Sequence, residues 1–230
     1  MQRHIQWILV LICTAGPILS LTGQLPVISS ELELRNYMNS QQYRDNRTES
    51  NIEGSPCINE EFTRGTIFYN QRKYGNLELR YNNYKGCFEY RDGIGIKYLP
   101  PRVFRLDTVW LGKDIYLYTD YLEGKAVRQA FMKLLHRGKL DVLSYHKVIL
   151  LPAEPPAGYK EARPARFEAQ TEVFYLQREG EAKVFRGKKS IPELFPRHQK
   201  ELLQFAKKNG LRLKIPEEII RLVQYYESLD

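Results

Sequence analysis

Histidine and cysteine are scarce in this chain, with four and three copies in 230 residues. Beyond the first 23 residues only His136, His146 and His198 remain, and no two of them lie three or four residues apart. The spacing of a helical metal site and the H-E-x-x-H pattern are therefore missing. There is no G-x-S-x-G elbow and no P-loop. Gly93-Ile94-Gly95 lacks the third glycine and following helix of a dinucleotide site and reads as a hairpin turn. Long apolar runs are missing too. The longest, Ile5 to Ile12 with Gln6 inside it, falls short of the roughly 20 residues that cross a bilayer as a helix. These absences leave no cofactor, no metal and no transmembrane segment to expect in the mature chain.

What stands at the start has the layout of a secretory signal over residues 1–23. Arg3 and His4 precede the apolar run, and Ala15-Gly16-Pro17 and Leu21-Thr22-Gly23 follow it. The expected protein is exported, periplasmic or extracellular. Cys13 follows Val10-Leu11-Ile12 rather than a small residue, which argues against a lipid anchor there. Cys57 and Cys87 are left as an even pair in an oxidising compartment, where they are expected to form a disulfide; two buried thiols are the other reading. A formal charge of +8 is spread among acidic residues, and the densest basic stretch is only Arg186-Gly187-Lys188-Lys189. That distribution suits a solvated surface with a weak attraction to anionic envelope material, not a nucleic-acid site.

Residues 24–56 are polar, with too few core formers to offset the entropy of ordering, and read as a flexible spacer carrying an Asn46-Arg47-Thr48 sequon. From residue 57 to 187 the pattern is that of an antiparallel β body. Leu77 to Tyr81 alternates, Cys87 to Arg91 leads into Asp92-Gly93, and Ile94 to Tyr98 returns. Further runs are Arg102 to Leu111, Ile115 to Tyr118, Val127 to Phe131, Lys139 to Leu151, Val173 to Leu176 and Ala182 to Phe185. The proline-rich stretch 152–171 is expected to cross the sheet surface, anchored by Tyr159 and Phe167. Residues 188–230 belong to the same domain and read as two helices, one beginning at Pro196 and stopping at Asn209-Gly210. The other opens on Pro216 with an apolar stripe of Ile219, Ile220, Val223 and Tyr226. The fold class is α+β, mainly β: an antiparallel meander curled into a sheet or partial barrel, with two C-terminal helices packed on it.

Tyrosine is the abundant residue, 16 of 230. Its ring suits sheet packing with the hydroxyl at a wet edge, and it also suits an aromatic groove for a glycan, peptide or lipid. Tyr81, Tyr84, Tyr116 and Tyr118 are the candidate binding face. No catalytic residue is assigned. Ser144 and His146 share a strand face, but at a spacing that chance supplies readily. Glu78 and Glu89 fall on neighbouring strands with Arg80 and Arg91 as their expected ion-pair partners.

The stretches Ile58 to Phe62, Leu77 to Tyr84, Ala153 to Pro156, Pro164 to Phe167 and Ile220 to Tyr226 resemble a family of exported proteins from Bacteroidota-type bacteria. The resemblance covers about residues 56–229. It implies export and a β-rich body with terminal helices, and it carries no catalytic residue. The expectation is a non-enzymatic envelope protein, a binding or structural accessory whose partner is an envelope protein, a glycan or a lipid. An apolar-ligand carrier and an envelope-polymer hydrolase are the alternatives. The carrier requires an enclosed apolar cavity; the hydrolase requires a cleft with two acidic residues, one of them without a basic partner.

Overall fold

The computed structural model describes residues 52–69, 72–91, 95–99, 101, 106–156, 158–159 and 161–229. The expected signal segment, most of the 24–56 spacer with its sequon, and the Asp92-Gly93 turn lie outside the described residues.

The strands are β1 (Thr63–Tyr69), β2 (Arg72–Asn82), β3 (Cys87–Arg91), β4 (Ile96–Leu99), β5 (Leu106–Leu111) and β6 (Asp114–Glu123). They continue as β7 (Ala126–His136), β8 (Asp141–Tyr145), β9 (Val148–Leu151), β10 (Arg166–Ala169), β11 (Val173–Arg178) and β12 (Glu181–Phe185). A 3-10 turn, Gly187–Ser190, leads to the short α1 (Ile191–Leu194), then α2 (Gln199–Lys208) and α3 (Pro216–Glu227). The protein is mainly β with C-terminal helices.

Ten strands bond in the order β12-β11-β8-β7-β6-β5-β1-β2-β3-β4. The path is not a single meander, because β1 lies between β2 and β5. β6 is long enough to fork. Its first residues, Asp114 to Leu117, pair with β5, while Asp120 and Tyr121 pair in parallel with Glu181 and Ala182 of β12. That second pairing closes β6, β7, β8, β11 and β12 into a five-stranded barrel.

Directly opposed residues on paired strands share a face, so the register separates the barrel's inside from its outside. Leu117 faces Met132, Thr119 faces Ala130, Leu134 faces Leu143, Leu143 faces Tyr175 and Gln177 faces Ala182. Tyr121, Ala130, Met132, Leu143, Tyr175 and Ala182 form one core to which all five barrel strands contribute. The barrel is therefore filled by its own side chains.

The outer face carries two further cores. On one side β1 to β5 curl over β6 and β7, enclosing Ile67, Leu79, Tyr81, Phe88, Val109 and Phe131. On the other the helices cover β8, β11 and β12, with Val142, Leu176 and Phe185 against Ile191, Phe195, Leu202, Ile219 and Leu222. Pro216 at the first turn and Glu217 and Glu218 beside it favour the start of α3. The Glu218 carboxylate accepts the Leu213 N–H at 2.6 Å. Leu222, which the sequence stripe omits, is fully buried, and Ile220 only partly.

The parallel closure holds only two residue pairs, and side chains reinforce it. The buried Thr119 hydroxyl donates to the Gly180 carbonyl at 3.1 Å, and the Gln177 amide bonds both Thr119 Oγ1 and the Gly180 carbonyl, the latter at 3.0 Å. Thr119→Val keeps the shape and removes both hydrogen bonds of this hydroxyl, leaving the Gln177 amide on the Gly180 carbonyl alone. It is expected to lower stability by about 1–3 kcal/mol, read as a shift in the denaturant midpoint. An unchanged midpoint would show that barrel closure does not rest on this hydroxyl.

The proline-rich stretch is more structured than a plain connection. Its end forms β10, which pairs with β9, and Glu154 bridges Arg163. Of its two expected anchors Phe167 packs edge-on against Tyr84 at 5.1 Å, but Tyr159 is fully exposed. The Glu53 N–H donates to the Ala165 carbonyl at 2.9 Å, and Phe167 N–H donates to the Glu53 carbonyl at 2.8 Å. The last residues of the expected spacer thus belong to the folded body.

Candidate functional site

Between the two outer covers a strip of barrel wall stays open. Three residues cross it on one face: Tyr116 of β6, Lys133 of β7 opposite it, and Ser144 of β8 opposite Lys133. The facing lip is the chain ahead of β1, residues 58–62. Ile58 N–H donates to Asn83 Oδ1 at 3.0 Å, Tyr84 N–H donates to the Pro56 carbonyl at 3.0 Å, and Arg80 Nη1 donates to the Glu60 carbonyl at 3.0 Å. Phe62 is clamped between the Arg80 and Arg91 guanidiniums, each 4.5 Å from its ring. Buried Asn83 also donates from Nδ2 to the His146 carbonyl at 2.6 Å, so one amide ties the lip, the β2–β3 turn and the end of β8 together. The result is a cleft of about 410 Å³.

Its floor is aromatic. The Tyr81 and Tyr116 ring centres are 5.3 Å apart, and Phe131 lies beneath Tyr81. Its walls are charged and polar: Glu61, Asp114, Lys133 and Glu172, with Ser144 and His146 at the β8 end. Lys133 Nζ meets Asp114 Oδ2 at 2.9 Å. Glu61 and Glu172 meet no cation among the described residues. Burial, with Asp114 and Glu172 adding to it, pushes the Tyr116 phenol up to about 12.

The four candidate tyrosines do not form one face. Tyr81 is a core residue whose hydroxyl donates to the Phe131 carbonyl at 3.3 Å, and only its edge reaches the cleft with Tyr116. Tyr118 packs on Phe131 at 5.0 Å and, with Tyr84, lines a separate, shallower hollow of about 310 Å³. The reason is local: Tyr84 sits in the turn after β2, where strand alternation no longer sets its direction. Lys133, Asp114, Glu172 and Asn83 were not singled out from sequence. Lys133 had a signal, a charged residue in the slot between Phe131 and Leu135 on the same side of β7.

Among the described residues no nucleophile–base pair is assembled. Ser144 and His146 both reach the cleft, but no hydrogen bond joins them, and His146 lies past the end of β8. Lys133, opposite Ser144, is engaged by Asp114. His136 sits 3.5 Å from Glu227 of α3, and His198 stands at the N-terminal end of α2, so these histidines are dispersed. Among the described residues no group of three or more His, Cys, Asp or Glu is placed to hold a metal, and no helix is long and apolar enough to cross a membrane.

Cys57 and Cys87 stand as free, buried thiols rather than as the expected disulfide. Burial first, and the nearby Glu89 carboxylate second, push both up to about 12. The thiolate is the species that attacks a disulfide, so this environment suppresses bond formation. The expected ion pairs do form: Arg80 with Glu89, and Arg91 Nε with Glu78 at 2.9 Å.

No family model, curated protein or solved structure matches the chain. Function is therefore argued from this cleft.

Proposed function

We propose that this chain is an exported, non-enzymatic protein of a bacterial envelope that binds a glycan in the cleft beneath its N-terminal lip. Export rests on the signal layout of residues 1–23, and the bacterial envelope on the resemblance of its short motifs. Binding rests on one observation above the others. An aromatic floor is ringed by polar side chains, Glu61, Glu172 and Ser144, that the described residues leave without partners. Sugar rings have apolar faces and hydroxyl edges, and such a lining matches both. The volume falls within the range of small-molecule pockets, about 300–1,000 Å³.

An apolar-ligand carrier is disfavoured by a barrel interior packed with Met132, Leu143 and Tyr175. Hydrolysis of an envelope polymer has a specific observation in its favour: Glu61 and Glu172 share the cleft with Asp114 and have no basic partner among the described residues. Titration calorimetry against a panel of envelope glycan fragments tests the binding reading. Saturable binding is expected, weakened about tenfold or more in Tyr116→Ala, which removes the ring from the floor. A panel without any binder overturns the reading. Shortening of the fragments during incubation would replace it with hydrolysis.

A further inference from the structure

We infer that the cleft selects a sugar bearing a protonated amine, a deacetylated hexosamine rather than a neutral or N-acetylated one; this choice of ligand rests on the glycan reading above. The chain is basic overall, +8, yet this hollow is lined by Glu61, Asp114 and Glu172 against Lys113 and Lys133. Lys133 is taken up by Asp114 at 2.9 Å, and among the described residues Glu61 and Glu172 form no ion pair, Lys113, exposed, and His146 being the other basic groups of the lining. Asp114 and Glu172 both act on the Tyr116 hydroxyl, so their fields converge on the cleft floor. A ring face flanked by carboxylates without partners is the environment an alkylammonium seeks. It gains a cation–π contact from the ring and charge-assisted hydrogen bonds from the carboxylates. An N-acetyl amide brings no charge and leaves those carboxylates unanswered.

Carboxylates alone would not define a site. Ser144 supplies an independent indication. It is only 3% exposed, it lines the cleft, and its hydroxyl makes no hydrogen bond to the described residues. The residue is buried but its hydroxyl oxygen is not sealed off, so it opens on the cleft with no protein group among the described residues taking it up; a ligand hydroxyl can both donate to it and accept from it. Ser144 and Tyr116 stand on either side of Lys133 in one cross-strand row. The ammonium end of the ligand is thus assigned to Tyr116 and Glu172, and a ring hydroxyl to Ser144.

The test is calorimetric titration of the full chain with three disaccharides: the glucosamine dimer, its N,N′-diacetyl form and cellobiose. The glucosamine dimer is expected to bind about tenfold or more tightly than either other sugar, an advantage that shrinks as salt is added. Glu172→Gln, a shape-preserving change at a half-buried surface position, is expected to erase that preference with the circular dichroism spectrum unchanged. Ser144→Ala is expected to weaken all sugars and to leave the preference intact. Equal affinity for the three sugars, or a preference that survives Glu172→Gln, overturns the amine assignment and leaves the glycan reading standing. If none of the three binds while another envelope glycan does, the amine assignment alone is again overturned. If no glycan binds at all, both are overturned.

Discussion

Raising the pH from about 9 to about 12 is expected to unfold this protein cooperatively. Five groups set that window. Cys57 and Cys87 are pushed from 9.0 up to about 12 by burial and then by Glu89. Tyr116, Tyr145 and Tyr175 are pushed from 10.0 up to about 12, by burial first and then by neighbouring phenols and carboxylates. Tyr81, buried in the outer core, is held well above its ordinary value, and Tyr121 is raised in the same direction. Below pH 9 both folded and unfolded chains keep these protons, so the full stability is present. Above it the unfolded chain releases them while the folded chain holds them. The unfolded state then binds fewer protons, and stability falls as pH rises until the folded values near 12 are passed. Each group contributes a slope of about 1.4 kcal/mol per pH unit at most. Several acting together over two to three units match the roughly 5–15 kcal/mol that holds a domain folded. Phenolate absorbance and far-ultraviolet dichroism followed together test this. The buried phenols should ionise in the same step in which the strands are lost. Ionisation of every tyrosine near pH 10 with the dichroism intact would refute it. In the Cys57→Ala, Cys87→Ala double variant the decline should begin about one pH unit later, because the thiols' ordinary value is the lower one.

The clustering of phenols that creates this sensitivity was only half legible in the sequence. Tyr116 and Tyr118 share the outer side of β6, as a period of two requires, while Tyr121 falls on the other parity and enters the barrel. Strand existence could be read from local alternation, and so could the hairpin partners, which is why the Arg80–Glu89 and Arg91–Glu78 pairs were foreseeable. Neighbour choice across the sheet could not. The insertion of β1 between β2 and β5, and the closure of β12 on β6, depend on contacts between segments far apart in the chain. No residue pattern within either segment encodes them. The cleft inherits that limit. Its floor, wall and lip come from β2, β6 to β8 and the residues ahead of β1, and only the register brings Tyr116, Lys133 and Ser144 into one row. The lip was least legible of all. It looks polar and unstructured because backbone groups hold it rather than a stripe of apolar side chains, with Phe62 as its one large anchor.

Glu89→Ala is expected to destabilise the outer sheet by about 3–5 kcal/mol. Glu89 is only 2% exposed. One of its oxygens accepts Arg80 Nε at 2.9 Å together with a second guanidinium nitrogen, and the other accepts Asn82 Nδ2 at 2.6 Å. Truncation leaves a half-buried guanidinium and a buried amide without their acceptor, and that loss exceeds what the intact pair contributes. Arg80→Met combined with Glu89→Leu should therefore recover the guanidinium's share of the deficit in denaturant unfolding but not the share of the buried Asn82 amide, which still lacks its acceptor. The two halves of the effect separate by location. Arg80 also holds the Glu60 carbonyl and one face of Phe62, so even the partly restored double variant loses the lip's clamp. Limited proteolysis should cut residues 58–62 faster in the double variant than in the wild type, by more than the difference in their unfolding midpoints accounts for. Ligand affinity in the cleft should fall with it. A double variant that matches the wild type in both stability and proteolysis would mean that the lip is held by its backbone bonds to Asn83 and Tyr84 alone. Arg80 would then serve only the sheet.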